Sequence, residues 1–588
     1  MLLSLANDSP AGRSEFFFEK LGSETVLNGL KASDEHGVFS LASQAEKHPE
    51  WAVRVAAETA ELRAAIKNAH NAPLRFLIWA GAGGSAEDKW MFQTSGLLKR
   101  GPRCYVLDSA DPAKLRAILE DIDRRYGLSV AAALRGTLVV GMTAGGASRA
   151  PVISIEKLAN LYDRHRIDGR AHFLCLAGEG SELDLLAQER GYRRAAPEPD
   201  GAARNAGCHT GPLTRGSLYP LALARVDLAA WIRGACLSGK DIDTAWRLAS
   251  FLHAQAEAGR DKVTLLLPKH WAAAAPWTKR VFEECPSQGE PPGLKVIPCQ
   301  KPRLANYRSP KHRDQDRVFL AVRVNAMPGP DSAKIGLLRR SGYPVAVVTL
   351  PRGAPLSRYM QFIHYAAFGV ARLRGIDTGG RPDAEAYAAA SNRIFAEAEE
   401  AGGAKRTASW KSMASSPLQV AFRNELTLHY DRVNIDFETR GMEAPQLYAA
   451  ILGRLAADRR VEYGDLTFFG DTRYSSAGMA ARRILEHAAE ELFERRLNMP
   501  AGVSEGPAGS HSGRCFSTVL LPEKQEQLAQ ARYAPDYHVA QFLATQVALA
   551  ESGGAVVAVI LRDLEEARLR ALEEFFHRAA SYLKPGRF

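Results

Sequence analysis

Gly81, Gly83 and Gly84 stand in "RFLIWAGAGGSAEDKW" (Arg75–Trp90), where an apolar run ends in a small-residue turn and a helical stretch begins. Glycines let a backbone turn tightly, and the free N–H groups at the start of the next helix attract an anion. Three chemistries fit this turn. The first is a dinucleotide site: "GAGGSA" approaches G-x-G-x-x-G, with Ala86 at the third glycine, and Asp108 ends the next strand where a ribose-binding acid belongs. The second is a sugar-phosphate loop built on Gly83, Gly84 and Ser85. The third is a strand-to-helix turn that binds nothing. Two other stretches carry reactive side chains. "GPAGSHSG" places His511 and Ser512 in a loop rich enough in glycine to approach a ligand closely, and "FEEC" places Glu283 and Glu284 on different sides of a helix near its end. "SHSG" is not a nucleophile elbow, and no G-x-S-x-G precedes a helix, so a Ser–His–Asp hydrolase is not expected.

These side chains need a frame, and the apolar runs describe one. "RFLIWAG", "RCYVLDS", "TLVVGM" and "HFLCLA" read as strands, with "DPAKLRAILEDIDRRYG" and "SIEKLANLYDRHR" as helices between them. Asp111 is placed to cap the first of these helices, with Pro112 at its first position. The pattern repeats in "KVTLLLP", "LKVIP", "RVFLAVRV" and "PVAVVTL", and a further group follows in "ELTLHYD", "GDLTFFGD", "FSTVLLP" and "AVVAVILRD". Near-continuous apolar strands alternating with helices imply parallel sheets covered on both faces. Residues 1–72 read as a mostly helical segment, and "LEEARLRALEEFFHRAASYL" as a closing helix.

At 588 residues the chain is too long for one core. Its 46% hydrophobic and 24% charged residues are ordinary for a globular enzyme. No apolar run is long enough to span a bilayer, and no signal peptide is read at the start, so neither a membrane nor export is expected and the cytoplasm is the default. The seven cysteines form no CxxC pair, which argues against a zinc site or a disulfide framework. The net charge of +10 is dispersed; "KPRLANYRSPKHRDQDR" (Lys301–Arg317) reads as a solvated loop. Nucleic acid needs a clustered basic face, whereas a small anionic substrate suits the charge as it stands.

The second half distinguishes among the readings of the glycine turn. "RDKVTLLLPKHWAAAAPWTKRVFEECPSQGEPPGLKVIP" (Arg260–Pro298) resembles the phosphoglucose isomerase family, and most closely the bacterial type fused to transaldolase. "HTGPLTRGSLYPLALARVDL", "DRVFLAVRV", "SGYPVAVVTL", "GIDTGGRPDAEA", "GDLTFFGD" and "GPAGSHSG" follow the same family's order. The resemblance covers most of the chain from about residue 73, in motif order more than in any single motif. It implies an α/β fold of two doubly wound, parallel-sheet sugar isomerase (SIS)-like domains, residues 73–255 and 256–588, with the helical N-terminal segment and C-terminal helix added. It also implies a homodimer, a sugar-phosphate substrate, and no metal or redox cofactor.

In aldose–ketose isomerisation a carboxylate moves a proton between neighbouring carbons through a cis-enediolate, while a cation or fixed dipoles stabilise the oxygen. The resemblance assigns the base to Glu284, and places Gly83, Gly84, Ser85, Thr143, Gly145, Gly146, Ser148 and Ser512 around the substrate. Departures from the family are several. The phosphate loop "GMTAGGAS" keeps Gly145 and Gly146 but carries Ala144 and Ala147 where hydroxyls belong, and it lacks the lysine. The family arginine falls on His209, the glutamine a turn before the base on Arg280, and the ring-opening histidine near Ser357, with His364 in the same stretch. The lysine beyond His511 falls near Thr518. His209, Arg280 and His511 are therefore expected to share charge stabilisation and ring opening. The alternatives are a catalytically degenerate paralogue that binds a sugar phosphate or a protein, an isomerase of another acidic sugar, and, last, the dinucleotide oxidoreductase.

Overall fold

The computed structural model describes residues 1–7, 13–22, 24–32, 37–46, 48–143, 149–202, 211–284, 294–298, 303–376, 382–506, 514–524 and 536–584. Its contacts divide the chain into two compact units. Unit 1 comprises 1–108, 129–302 and 309–381; unit 2 comprises 109–128, 303–308 and 382–588.

Unit 1 holds two sheets. The chain opens with strand β1 (Leu2–Ala6) and passes through short helices to the long helix α1 (Trp51–His70). The first sheet follows: β2 (Phe76–Ala80), helix α2 (Gly84–Thr94), β3 (Arg103–Leu107), helix α3 (Pro112–Tyr126), β4 (Thr137–Met142), helix α4 (Ala150–Arg164), β5 (Phe173–Leu176) and β6 (Arg193–Ala195). Its strands are all parallel, in the order β3-β2-β4-β5-β6. Helices α5 (Arg215–Leu223) and α6 (Gly239–Glu257) lead to the second sheet: β7 (Lys262–Leu266), helix α7 (Ala274–Glu284), β8 (Lys295–Ile297), β9 (Arg317–Val324), β10 (Val345–Leu350) and helix α8 (Leu356–Leu373). That sheet runs β1-β10-β9-β7-β8, parallel except for β1, which pairs antiparallel with β10. One buried apolar cluster joins the two sheets, from Leu77, Trp79 and Val140 through Trp231 and Trp246 to Leu265, Leu320 and Val348. A segment expected to be mostly helical thus contributes an edge strand to the second sheet.

Unit 2 holds a third sheet, in the order β11-β12-β16-β15-β13-β14, made of β11 (Gln419–Phe422), β12 (Leu426–Arg432), β13 (Tyr463–Phe468), β14 (Ala501–Glu505), β15 (Cys515–Pro522) and β16 (Ala555–Leu561). Residues 256–588, expected as one domain, therefore contain two sheets. One side of the third sheet buries Leu466, Phe516 and Val557 with Tyr448 and Phe575; the other buries Val519, Val556 and Ala558 with Trp410 and Phe542. Alternate residues of the same strands serve opposite faces, as a doubly covered sheet requires.

If the parallel strands of each sheet are counted in chain order, all three sheets share one arrangement, 2-1-3-4. The connection from second to third strand is α3 in the first sheet and contains residues 303–308 in the second, and both pieces belong to unit 2. The cap on α3 is as the sequence indicates: the Asp111 carboxylate accepts from Ala113 N at 2.8 Å, with Pro112 as the first helical residue. The reading of Lys301–Arg317 as a solvated loop needs correction. Asn306, Gln315 and Arg317 are buried, Asn306 donates to the Glu494 carboxylate at 3.2 Å, and Gln315 exchanges bonds with the Arg317 backbone. Asparagine and glutamine there are partners of a buried acid and of backbone, which their polarity alone does not reveal. Among the described residues no helix is long and apolar enough to cross a membrane, and Cys104, Cys175, Cys236 and Cys515 form no disulfide.

Candidate active site

In an open parallel sheet, ligands lie beyond the carboxyl ends of the strands, where the winding reverses. In the first sheet that point falls between β2 and β4, which pair directly, Ala80 against Gly141. The Gly81–Ser85 turn leaves β2 there, and Thr143 leaves β4 beside it. Gly83, at φ +62° and ψ −136°, caps α2 in a conformation that L side chains rarely adopt. A Cβ on Gly81 would lie 2.7 Å from Ser85 Oγ and 3.0 Å from Trp79 Nε1, so the turn excludes a side chain there. Gly84 is the first residue of α2. Ser85 is buried, and its hydroxyl donates to the Ala82 carbonyl at 2.9 Å. Its proton therefore closes the turn. The half-buried Thr143 donates its N–H to Leu176 O at 3.1 Å. Gly145, Gly146 and Ser148 lie outside the described residues.

The start of α5 borders the same point. Thr214 caps it, and Gly216 passes so close to the end of β4 that a Cβ would meet Met142 Sδ at 2.7 Å. Ser217 reaches the Asp88 carboxyl of α2 at 3.0 Å. Arg215 turns back to α1, bonding both oxygens of Glu58 at 3.2 and 3.0 Å, and Tyr219 donates to Glu58 at 2.7 Å. Burial opposes ionisation of Glu58, but the Arg215 and Tyr219 bonds outweigh it and hold that carboxyl below its usual range. Arg215 is thus committed to the fold. His209 lies outside the described residues.

From the second sheet, α7 packs directly on α2. Glu283 faces inward, where its carboxylate takes Lys295 Nζ and Val296 N, each at 3.2 Å, and so ties α7 to β8. Glu284 is the last residue of α7; its carboxylate lies outside the described atoms. Arg280, one turn earlier, is half-buried and has interaction partners. Thr278 and Tyr359 share a 2.6 Å hydrogen bond that fixes α7 to α8. Ser357 is fully buried and donates to Trp231 O at 2.7 Å, and His364 is buried edge-on against Trp277. Both serve packing at the positions near which the family histidine falls. Thr518 is buried in β15, bonded to Tyr448 at 2.8 Å.

Unit 2 carries its own polar knot. Glu505, the last residue of β14, takes Lys114 Nζ from α3 at 2.9 Å, Arg473 Nε at 3.1 Å and Thr472 N at 3.0 Å. The loop with His511 and Ser512 follows and lies outside the described residues. Asp471, in the loop after β13, accepts from the N–H groups of Arg473, Tyr474 and Ser475. An internal carboxylate therefore fills the turn that corresponds to Gly81–Ser85.

Several of these residues carry no signal in one sequence. Asp88 and Lys89, both buried on α2, stand 2.9 Å apart, and Lys89 Nζ lies 4.1 Å from the Trp79 ring centroid. Burial raises the Asp88 pKa against the pull of Lys89 and lowers that of Lys89 against the pull of Asp88. The adjacent Cys104 thiol is pushed up to about 12, chiefly by burial. Ser217, the partner of Asp88, is 129 positions away in the chain.

No protein-family model matches the chain. It is 27% identical over 165 residues to a glucose-6-phosphate isomerase of Synechococcus sp. (strain JA-3-3Ab), which covers 28% of this chain and 29% of the relative. It is 26% identical over 174 residues to one of Nostoc sp. (strain PCC 7120), covering 29% and 30%. The chain thus spans under a third of the length of these curated relatives. In structure it is similar to a hypothetical protein of Thermus thermophilus, with a TM-score of 0.50 and 16% identity over 67% of this chain and all of that one. That likeness concerns the fold. Together with the motif order, these comparisons make the chain similar in sequence to glucose-6-phosphate isomerases over a minority of its length.

Proposed function

We propose that this protein is a sugar-phosphate isomerase that interconverts an aldose phosphate and its ketose, of the glucose 6-phosphate and fructose 6-phosphate type, through a cis-enediolate. The observation that carries this reading is the place of the Gly81–Ser85 turn and Thr143. They leave the neighbouring strands β2 and β4 where the winding of the first sheet reverses. The starts of α2 and α5 border that point, and helix N-termini favour an anion. The packing of α7 on α2 supports Glu284 as the base, since it puts the glutamate's helix against the helix of the glycine turn. Arg280 and His209 would stabilise charge on the enediolate oxygen, Gly83, Gly84, Thr143, Gly145, Gly146 and Ser148 would hold the phosphate, and His511 and Ser512 complete the proposed set. A homodimer in the cytoplasm is part of the same reading.

One observation favours the binding-only alternative: the Ser85 hydroxyl is spent on Ala82 O, in a chain whose second phosphate loop already lacks a lysine. A coupled assay of fructose 6-phosphate conversion separates the two. Isomerase activity abolished by Glu284→Gln is the expected result. Thermal stabilisation by the sugar phosphate without turnover would leave the degenerate paralogue, and stabilisation by NAD instead would restore the dinucleotide reading.

A further inference from the structure

Beneath the Gly81–Ser85 turn lies a group of buried polar side chains that the proposed chemistry does not use. Asp88 and Lys89 of α2 and Ser217 of α5 are each 1% exposed or less. Ser217 Oγ stands 3.0 Å from Asp88 Oδ2 and 3.0 Å from the Gly211 carbonyl oxygen. A serine hydroxyl has one proton to give. With Asp88 ionised both neighbours are acceptors, and the single hydroxyl proton must be split between them or leave one contact without a hydrogen. A proton on Asp88 removes the conflict: Asp88 donates to Ser217, and Ser217 donates to Gly211.

The geometry points to Asp88 and Ser217 as a positioning pair, with Asp88 protonated, that sets the spacing between the Gly81–Ser85 turn and the Gly211–Thr214 turn on either side of the candidate anion site. This rests on the isomerase reading of that site. α2 carries the first turn and α5 the second, and Gly216 holds the same stretch of α5 against Met142 at the end of β4. One short relay therefore joins three borders of the site. Among the titratable groups bearing on Asp88, Lys89 at 2.9 Å pulls toward the carboxylate, and the burial of both side chains favours the uncharged acid. Cys104 stays a neutral thiol, and Lys89 keeps donors for the Asp88 carboxyl while lying over Trp79. Burial itself raises the Asp88 pKa.

The test uses the full-length protein with Ser217→Ala, Asp88→Asn and Asp88→Leu. It reads amide hydrogen exchange at residues 82–86 and 211–214, together with KM and kcat for fructose 6-phosphate. Ser217→Ala is expected to speed exchange in both turns about tenfold and to raise KM about tenfold with kcat within about twofold, the effect of one buried hydrogen bond to a positioning group. Asp88→Asn, which keeps a donor toward Ser217, should stay within about twofold of the parent in each readout. Unchanged exchange in both turns of Ser217→Ala would overturn the pair. Asp88→Asn as damaging as Asp88→Leu would overturn the proton, because it would make Asp88 the ionised partner of Lys89. If Asp88→Leu does not fold, Ser217→Ala and Asp88→Asn decide between themselves. A protein that turns over no sugar phosphate fails the isomerase reading alone, since the exchange pattern, and a titration with inorganic phosphate, stand without it.

Discussion

Gly83→Ala tests the site through the backbone. At φ +62° and ψ −136°, Gly83 occupies a conformation that costs an L residue about 1–3 kcal/mol. If the turn holds its shape in the variant, the strain appears as lost stability. For a unit of this size each kcal/mol lowers the melting midpoint by about 2 °C, so a fall of about 2–6 °C is expected. If the turn relaxes instead, the N–H groups opening α2 swing away from the point between β2 and β4. Losing one charge-assisted hydrogen bond to a phosphate is worth about 1.5–3 kcal/mol, or roughly ten- to a hundredfold in affinity. Gly259→Ala is the control. Gly259 also has a left-handed backbone, at φ +80°, with nothing within 4 Å of an added Cβ, and it lies between α6 and β7. Calorimetric titration with fructose 6-phosphate should show weakened binding in Gly83→Ala and unchanged binding in Gly259→Ala, beside comparable losses in melting temperature. Equal affinity in the two variants with the Gly83→Ala midpoint unmoved, the mark of a turn that has relaxed, would refute the placement of the anion at this turn.

Three further outcomes follow from the geometry. Ser85→Ala removes the bond to Ala82 O and should cost about 1 kcal/mol of stability while leaving sugar-phosphate affinity unchanged; a marked loss of affinity in a titration would show that the hydroxyl serves the ligand after all. Lys114→Met takes one cation from the half-buried Glu505 and should destabilise by about 1–3 kcal/mol, with faster hydrogen exchange confined to residues 109–128, 303–308 and 382–584; loosening of 129–298 instead would contradict the division into units. His172 is fully buried and its pKa is lowered to about 4 by burial, the loss outweighing the help of its bond to Thr137 O. The folded value lies below the unfolded one, so the contribution is complete above about pH 6.5 and is lost as pH falls toward 4, an amount of about 3 kcal/mol. Chemical denaturation across that range should show the slope in the parent and a shallower one in His172→Phe.

The central strands were all legible, and the strands missed are all edges, although β3 and β8 are edges that their apolar runs still marked. All twelve strands evident as apolar runs are present, and the four that were not, β1, β6, β11 and β14, are each the outermost strand of a sheet. An edge strand is not covered on both faces by the pattern that marks a central one, so "RRA" or "AGVSE" carries no continuous apolar run. Local chemistry read well where it stayed local, as in the Asp111 cap. It failed where a partner comes from far along the chain. Asp88 meets Ser217 across 129 positions and Lys114 meets Glu505 across 391, and neither meeting has a signature in one sequence. The basic stretch around Asn306 misled for the same reason: its polar residues are satisfied by Glu494 and by backbone, which composition does not encode.

α3 and residues 303–308 belong to unit 2, yet each is bracketed in the chain by strands of unit 1, β3 and β4 for the first, β8 and β9 for the second. The C-terminal lobe is consequently not a bead on a string. A truncation at residue 381 would strip a helix and a short turn of the surroundings they fold against, and a graft of 382–588 onto another scaffold would arrive without Lys114 and Asn306. The chain enters unit 2 three times, so no single cut along the sequence parts the two units without dividing one of them.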